Sequence, residues 1–154
     1  MNPTTLRLFD AYAADHRHPM NRLTHKVAIP FIVFHVLAML AWIPLGPAFV
    51  VGGVAVQLTG GVVGWAVATA FYAWAAPRLA PLMALLFGLC LPLAALTPRP
   101  VVVGIAVVAW TIQLIGHSVY EKNRPSFATN LVQALIGPLF FVAVTTGAWR
   151  PARA

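Results

Sequence analysis

Long apolar segments dominate this chain and leave little choice of fold. Segments of about twenty apolar residues follow one another from Val27 onward, broken only by proline, glycine and short cationic stretches. A helix of that length can span a bilayer because it satisfies its backbone hydrogen bonds internally. With 60% hydrophobic and 8% charged residues, the composition is also far from that of soluble globular domains. The sequence therefore predicts an all-α, polytopic integral membrane helical bundle.

The breaks predict how this bundle is divided. Residues 1–154 form a single transmembrane domain of about five spans, within a range of four to six. The predicted spans are residues 27–45, 50–76, 79–96, 101–120 and 127–149. The glycine-rich stretch at 48–76 fits either one long tilted helix or a short re-entrant piece followed by a span. Residues 4–14 predict a short amphipathic helix on the membrane surface, with Leu6, Phe9 and Ala13 near one face.

The cations predict an orientation and a location. A cytoplasmic N-terminus places seven cations inside and three outside, in agreement with the positive-inside rule. Those inside are Arg7, Arg17, Arg22, Lys26, Arg78, Lys122 and Arg124, and those outside are Arg99, Arg150 and Arg153. We therefore expect an integral protein of the bacterial inner membrane. Its net charge of +7 is expected to meet the headgroups of membrane lipids, and nucleic acid is excluded as a partner.

The glycines bear on how helices associate. Gly60 and Gly64 have the small-xxx-small spacing that permits close helix contact. This pair, in so small a chain, makes a homodimer conceivable. Cys90 stands alone in an apolar segment and predicts no disulfide or thiolate cluster.

Polar side chains precede the first span in the segment DHRHPMNRLTHKVAIP at residues 15–30. Pro19 favours a helix that begins near it with His18 at the cap. On that helix Asn21 and His25 are four residues apart and share a face. His16 lies before the break, and a turn could fold it back toward His25. His18 is expected to be a surface or capping residue, although it could replace His16 as a metal ligand.

A second polar cluster lies at the end of the fourth predicted span. The segment QLIGHSVYE places Gln113, His117 and Glu121 at successive i, i+4 positions, which form one polar stripe. A His and a Glu one turn apart commonly offer two metal ligands from one helix. The predicted topology brings both polar clusters to the cytoplasmic side, where buried polar groups must face one another, a cavity or a metal. The shared site is predicted to contain His16, His25, His117 and Glu121.

His35 is predicted to lie outside this site. It is ten residues beyond His25 on the same helix, about 15 Å along the axis, which is too far for one metal without a bend. A neutral imidazole that hydrogen-bonds within the bundle is the expected role. Motifs of other common chemistries, such as G-x-S-x-G, H-E-x-x-H and C-x-x-C, do not occur in the sequence.

Three motifs occur in order along the chain. The first is H-x4-N-x3-H followed by I-P, at His16, Asn21, His25, Ile29 and Pro30. The second is Q-L-I-G-H-x3-E-K-x-R-P at residues 113–125, and the third is N-L-V-Q-x-L-I-x-P at residues 130–138. Together they resemble the membrane family of the fungal endoplasmic-reticulum 2-hydroxy fatty acid dioxygenase, and the resemblance is close over residues 9–34 and 108–142.

The resemblance implies a non-haem Fe(II) dioxygenase that shortens 2-hydroxy fatty acids by one carbon, with O2 as co-substrate. It implies His16, His25 and His117 as the iron ligands, with Glu121 at a matching position after the third. Glu121 and Asn21 are then the candidate catalytic residues. A cation could attract the substrate carboxylate while the acyl chain lies between helices. The candidate substrate-binding residues are Arg17, Arg22, Gln113 and Arg124.

Two alternatives remain open from the sequence. The same histidines could hold Zn2+ with a bound water and hydrolyse a lipid amide. In the other alternative the protein is not an enzyme: it binds a lipid or forms part of a complex, and the polar cluster only joins helices.

Overall fold

The computed structural model describes residues 1–123, 125 and 130–150 of the chain. Within these residues six α-helices, one π-helix and a two-stranded antiparallel hairpin are present. The helices are α1 Pro3–Asp15, α2 Pro19–Ala41, α3 Gly60–Ala75, α4 Ala80–Leu96, α5 Arg99–Ile115 and α6 Gln133–Thr145. The strands are β1 Pro44–Val51 and β2 Val54–Thr59, and the π-helix Gly116–Glu121 continues α5.

Helix α2 is the centre of the bundle and packs against α3, α4 and α5. Its contact with α3 depends on the predicted glycine pair. A Cβ atom at Gly60 would lie 2.7 Å from the Leu40 carbonyl oxygen, and one at Gly64 would lie 3.0 Å from the Leu40 side chain. The pair therefore serves a helix contact within the chain. The homodimer remains a prediction, and the glycine pair no longer supports it.

In the part of the chain that the structure describes, two segments are long and apolar enough to cross a membrane: α2, and α5 together with the π-helix, each of 23 residues. The other apolar helices, α3, α4 and α6, have 16, 17 and 13 residues, which is less than the roughly 20 residues of a full span. The structure thus supports a mostly helical bundle with two candidate spans, and the count of five stays a prediction. Residues 127–129, the start of the last predicted span, lie outside the described residues.

The predicted span 50–76 was wrong in its first ten residues, since these belong to the hairpin and helix α3 begins only at Gly60. Gly52 and Gly53, with φ of +58° and +82°, form the turn between the strands. Positive φ at both central residues matches the tight turn that suits the twist of a hairpin. Valines around this turn favour a strand over a helix. The fold is consequently not purely α-helical.

Helix α1 forms as predicted, but the face that packs against the rest of the protein differs from the predicted apolar face. Thr5, Phe9 and Tyr12 are buried, whereas Leu6 is 38% exposed. The Phe9 ring meets Phe140 of α6 edge to face, with the ring centroids 5.4 Å apart. The apolar side of α1 thus packs on α6 instead of lying open for a membrane surface. This packing brings the C-terminal end of α1 to the first polar cluster.

Candidate metal centre

The three histidines of the predicted site come from three separate elements. His16 follows the end of α1, His25 lies in the second turn of α2, and His117 lies in the π-helix. Their side chains are almost fully buried, with exposures of 2%, 0% and 2%. The two polar clusters, 92 residues apart between His25 and His117, therefore meet in space as the topology predicted.

The Nε2 atoms of these histidines converge on one point. His25 Nε2 lies 3.1 Å from His16 Nε2 and 3.0 Å from His117 Nε2. All three candidate ligand atoms lie within 4.8 Å of one another. Nitrogens bound to one ion at about 2.0–2.1 Å are roughly 3 Å apart in octahedral or tetrahedral geometry. The spacing of the buried triad suits a single metal ion.

The other ring nitrogen of each histidine decides the tautomer. His16 Nδ1 lies 2.7 Å from the Tyr12 carbonyl oxygen, and His25 Nδ1 lies 2.8 Å from the Asn21 carbonyl oxygen. A carbonyl only accepts, so both Nδ1 atoms carry the proton and donate it. Each Nε2 is then unprotonated and carries a lone pair. Facing lone pairs repel one another unless a cation lies between them. A hydrogen bond from Nδ1–H to a carbonyl is also the usual outer support of a metal-binding histidine.

Burial also keeps His16 neutral. It lowers the pKa of His16 to about 4, because a charged imidazolium would lose its hydration. The Tyr12 ring stacks on the His16 ring with the centroids 3.9 Å apart and fixes its plane. A neutral, oriented imidazole is the form that binds a transition metal. The buried triad could therefore bind a metal, and imidazole suits iron as well as zinc.

The support of His117 is a residue that the sequence analysis missed. Asn123 Oδ1 accepts a hydrogen bond from His117 Nδ1 at 2.9 Å, and Asn123 Nδ2 donates to the Asp15 carbonyl at 3.2 Å. The chain reverses between them because Lys122 adopts a left-handed conformation with φ of 56°. Asn123 thereby ties the π-helix to the end of α1. An amide just after a predicted helix end was the only available signal.

Asn21 and Gly116 form the contact between α2 and the π-helix. Asn21 is fully buried, and its carbonyl holds His25. A Cβ atom at Gly116 would collide with Asn21 Oδ1 and Thr24 Oγ1. Only glycine allows the backbone near His117 to approach α2 this closely. The structure thus places Asn21 as a group that positions the triad.

Glu121 and His18 bind to each other rather than to the triad. The Glu121 carboxylate accepts a hydrogen bond from the His18 backbone N–H at 2.6 Å. His18 is the N-cap of α2, as predicted, and its Nδ1 accepts from the Met20 N–H at 3.2 Å. Anions at a helix N-terminus stabilise it. Glu121 therefore joins the π-helix to the start of α2, and among the described residues the group of converging ligand atoms contains only the three histidines.

A small chamber of about 60 Å³ lies beside the triad. Gln113 of α5 and Gln133 of α6 line it, with exposures of 5% and 7%. Among the described residues, neither side-chain oxygen has a hydrogen-bond partner. Buried amide oxygens without partners are costly and suggest that a ligand donates hydrogen bonds to them. Gln113 was a predicted substrate residue, whereas Gln133 was missed although the third motif contains it.

The predicted substrate cations are placed as follows. Arg22 donates from Nε to the His16 carbonyl at 2.8 Å, and Arg17 donates to the Ala14 carbonyl at 3.1 Å. Both therefore support the backbone around the first histidine. Arg124 lies outside the described residues.

The comparisons with known proteins agree with this site. A family model described as "2-hydroxy-palmitic acid dioxygenase Mpo1-like" matches residues 4–149. The chain belongs to the Mpo1-like family. This confirms the resemblance seen in the motifs, and the family name indicates a function related to 2-hydroxy fatty acid dioxygenases.

A curated relative of this Mpo1-like chain is the 2-hydroxy-palmitic acid dioxygenase MPO1 of Saccharomyces cerevisiae, which is 41% identical over 39 residues. That segment is 25% of this chain and only 22% of the yeast protein. No solved structure matches the chain.

Proposed function

We propose that this protein is a non-haem Fe(II) dioxygenase that shortens 2-hydroxy fatty acids by one carbon. The observation that carries the proposal is the convergence of three buried Nε2 lone pairs in a member of the Mpo1-like family. His16, His25 and His117 would hold the iron. Fe(II) held by imidazoles can leave coordination positions for O2 and for a chelating hydroxy acid, and it supplies the redox chemistry.

The proposed reaction balances without a further reductant. The bond between C1 and C2 of the 2-hydroxy acid breaks, C1 leaves as CO2, and C2 becomes the carboxyl carbon of the shortened acid. O2 accepts the electrons, and water is the remaining product. The oxidation number of C2 rises by three and that of C1 by one, and these four electrons account for the complete reduction of one O2.

The chain's own residues would hold and orient the reacting groups. The carbonyls of Tyr12 and Asn21 and the amide of Asn123 keep the three Nε2 atoms unprotonated. The unpartnered side-chain oxygens of Gln113 and Gln133 would accept hydrogen bonds from water in the chamber beside the metal. Burial of the triad would exclude bulk water from the reaction.

The same proposal includes a location in the bacterial inner membrane with the N-terminus in the cytoplasm. The two long apolar helices support it, and so do the charges at their ends. Arg17, Arg22 and Lys26 lie at the triad end of α2, whereas Arg99, above the Trp42 ring, lies at the opposite end of α5. Membrane lipids and the fatty acid would meet the triad at the cytoplasmic face.

The test is a mass balance on purified protein loaded anaerobically with Fe(II). 2-Hydroxypalmitic acid labelled at C1 is added, and O2 starts the reaction. We expect labelled CO2 and the shortened acid in equal amounts, with one O2 consumed per CO2. Absence of product with iron bound, or equal turnover without O2, would refute the proposal.

A second candidate is a zinc-dependent lipid amide hydrolase. It is favoured by the donor set, since three converging histidines also bind catalytic zinc. Zinc needs no O2, so release of fatty acid from an N-acyl lipid under anaerobic conditions by the zinc-loaded protein would support it. A purified protein that binds neither metal would instead leave a non-catalytic lipid-binding role.

A further inference from the structure

A long apolar groove lies beside the triad, between α2, α4 and α6. Its volume is about 500 Å³, which falls within the range of small-molecule sites. Its lining residues are apolar except for His25, Lys26, Thr145 and Thr146. Lys26 is the only charged residue among them. Such walls suit a hydrocarbon chain, and one cation suits a single anionic group.

The groove has a head end and a far end. It is lined on α2 from His25 to Val33 and on α4 from Leu82 to Cys90, a rise of about 12 Å along either helix. The two helices run in the same direction, because Ala38 and Ala94 near their C-terminal ends pack in one cluster. Cys90 therefore lies at the end away from His25.

The groove adjoins the chamber of the triad. His25, Ile29, Val33 and Pro138 line both spaces, so one wall separates them. Pro138 lies within α6 and Pro30 within α2, where neither can donate a backbone hydrogen bond. The Lys26 carbonyl, four residues before Pro30, thus lacks its usual helical donor. An ammonium group and a carbonyl acceptor are therefore both present at the head end.

We propose that this groove binds the acyl chain of a single-chain 2-hydroxy acid, and this inference rests on the proposed function. The carboxylate is attracted by the Lys26 ammonium, the 2-hydroxyl can donate to the Lys26 carbonyl, and the head group lies against His25. The chain then extends along α2 and α4 toward Cys90, whose surroundings limit the chain length. A phospholipid tail also fits the apolar walls, and its phosphate can pair with the Lys26 ammonium, but it offers no 2-hydroxyl to the Lys26 carbonyl.

The first test fills the far end of the groove. Cys90→Trp adds bulk there, and the matched control Leu89→Trp adds it at the neighbouring position, which is 51% exposed. We expect Cys90→Trp to reduce turnover of 2-hydroxypalmitic acid at least about tenfold relative to 2-hydroxyoctanoic acid. Leu89→Trp should keep the wild-type ratio, and both variants should keep wild-type metal content. Equal chain-length profiles in Cys90→Trp and wild type would overturn the groove assignment while leaving the proposed reaction intact.

The second test reads binding without turnover. Cys90 is the only cysteine, so its rate of modification by N-ethylmaleimide can be followed by intact mass in phosphatidylcholine vesicles. Saturating 2-hydroxypalmitic acid should slow the modification at least about fivefold. In the Cys90→Ala, Leu89→Cys control the acid should have no effect. An unchanged Cys90 rate would show that bilayer lipid fills the groove, or that nothing does, and would overturn the proposal.

The head end is tested by Lys26→Gln. This variant should need about three- to tenfold more 2-hydroxypalmitic acid for the same protection of Cys90, because a charge-assisted contact is lost. Protection by methyl 2-hydroxypalmitate should not change. Equal losses of protection for the acid and the ester would show that Lys26 does not attract the carboxylate. Protection without any turnover in the wild type would refute the proposed reaction and leave the groove as a binding site for hydroxy acids.

Discussion

His25 and His35 are two buried histidines of the same helix with the same local bond. His25 Nδ1 lies 2.8 Å from the Asn21 carbonyl, and His35 Nδ1 lies 2.9 Å from the Phe31 carbonyl, in each case four residues earlier. Their exposures are 0% and 3%. Both are consequently neutral donors at Nδ1 with a lone pair at Nε2. The difference between the two histidines lies in the partners of Nε2.

The partner of Nε2 differs. His35 Nε2 accepts a hydrogen bond from the Trp110 indole N–H at 3.1 Å, so all of its polar atoms are satisfied by protein. His25 Nε2 instead faces the Nε2 atoms of His16 and His117, and with each ring protonated at Nδ1 no proton from the described residues satisfies these three nitrogens. A buried polar group whose hydrogen bonds are all made by protein can join two helices. A buried polar group without a protein partner needs a ligand. The comparison thus separates a structural histidine from a candidate metal ligand without reference to sequence position.

The largest effect is expected from His25→Ala compared with His35→Ala. His25→Ala should remove bound metal and lower turnover by about a thousandfold or more, because two nitrogens hold the ion poorly. His35→Ala should keep the metal and lower the stability by about 1–3 kcal/mol, since the Trp110 N–H loses its partner. Metal content and thermal unfolding in detergent measure both. Metal loss from His35→Ala in a folded protein would break the distinction.

Asn123→Ala should have the next largest effect. Loss of the acceptor at His117 Nδ1 frees the ring to turn and to take the other tautomer, so metal affinity should fall by about 10–100-fold. Competition with a fluorescent chelator measures the affinity. Asn123→Asp is the matched control, because its carboxylate still accepts from Nδ1. If Asn123→Ala binds metal as wild type does, outer hydrogen bonds do not define this site.

Gly116→Ala tests the approach of the two histidine-bearing elements. The added methyl would press on Asn21 and Thr24, and we expect a loss of stability of about 1–3 kcal/mol with weaker metal binding. Gly104→Ala on the same long helix is the control, as a Cβ there meets no atom within 4 Å. It should be neutral or gain up to about 1 kcal/mol. Equal behaviour of the two variants in thermal unfolding would contradict the close contact.

The sequence predicted the meeting of the two polar clusters because the relevant signals were local. Asn21 and His25 share a helical face through their spacing, and His18 before Pro19 is a recognisable cap. Orientation of the spans then brought His117 to the same side. The hairpin was missed because its Gly-Gly turn lies within an apolar stretch whose valines also fit a membrane helix.

The details around His117 could not be predicted in the same way. Helical spacing placed Glu121 on the face of His117, but the segment is a π-helix, whose i→i+5 bonds make each turn wider. Four residues then fall short of one turn, and Glu121 reaches His18 instead. The left-handed Lys122 that brings Asn123 back is likewise a consequence of tertiary contacts. Gln133 gave no helical pattern with the histidines because it belongs to another helix.

The smallest effect is expected from Glu121→Gln. This variant tests whether a carboxylate with a protein hydrogen-bond partner has a structural role, as His35 does. Glu121 is satisfied by the His18 backbone N–H at 2.6 Å, as His35 is satisfied by Trp110. Glutamine keeps an oxygen that accepts this bond, so metal content and turnover should stay within about threefold of wild type. Glu121→Ala, which removes the acceptor, should lower stability by about 1–2 kcal/mol. A hundredfold loss of turnover in Glu121→Gln with full metal content would instead show that the carboxylate moves a proton in the reaction, and a satisfied polar group would no longer imply a structural role.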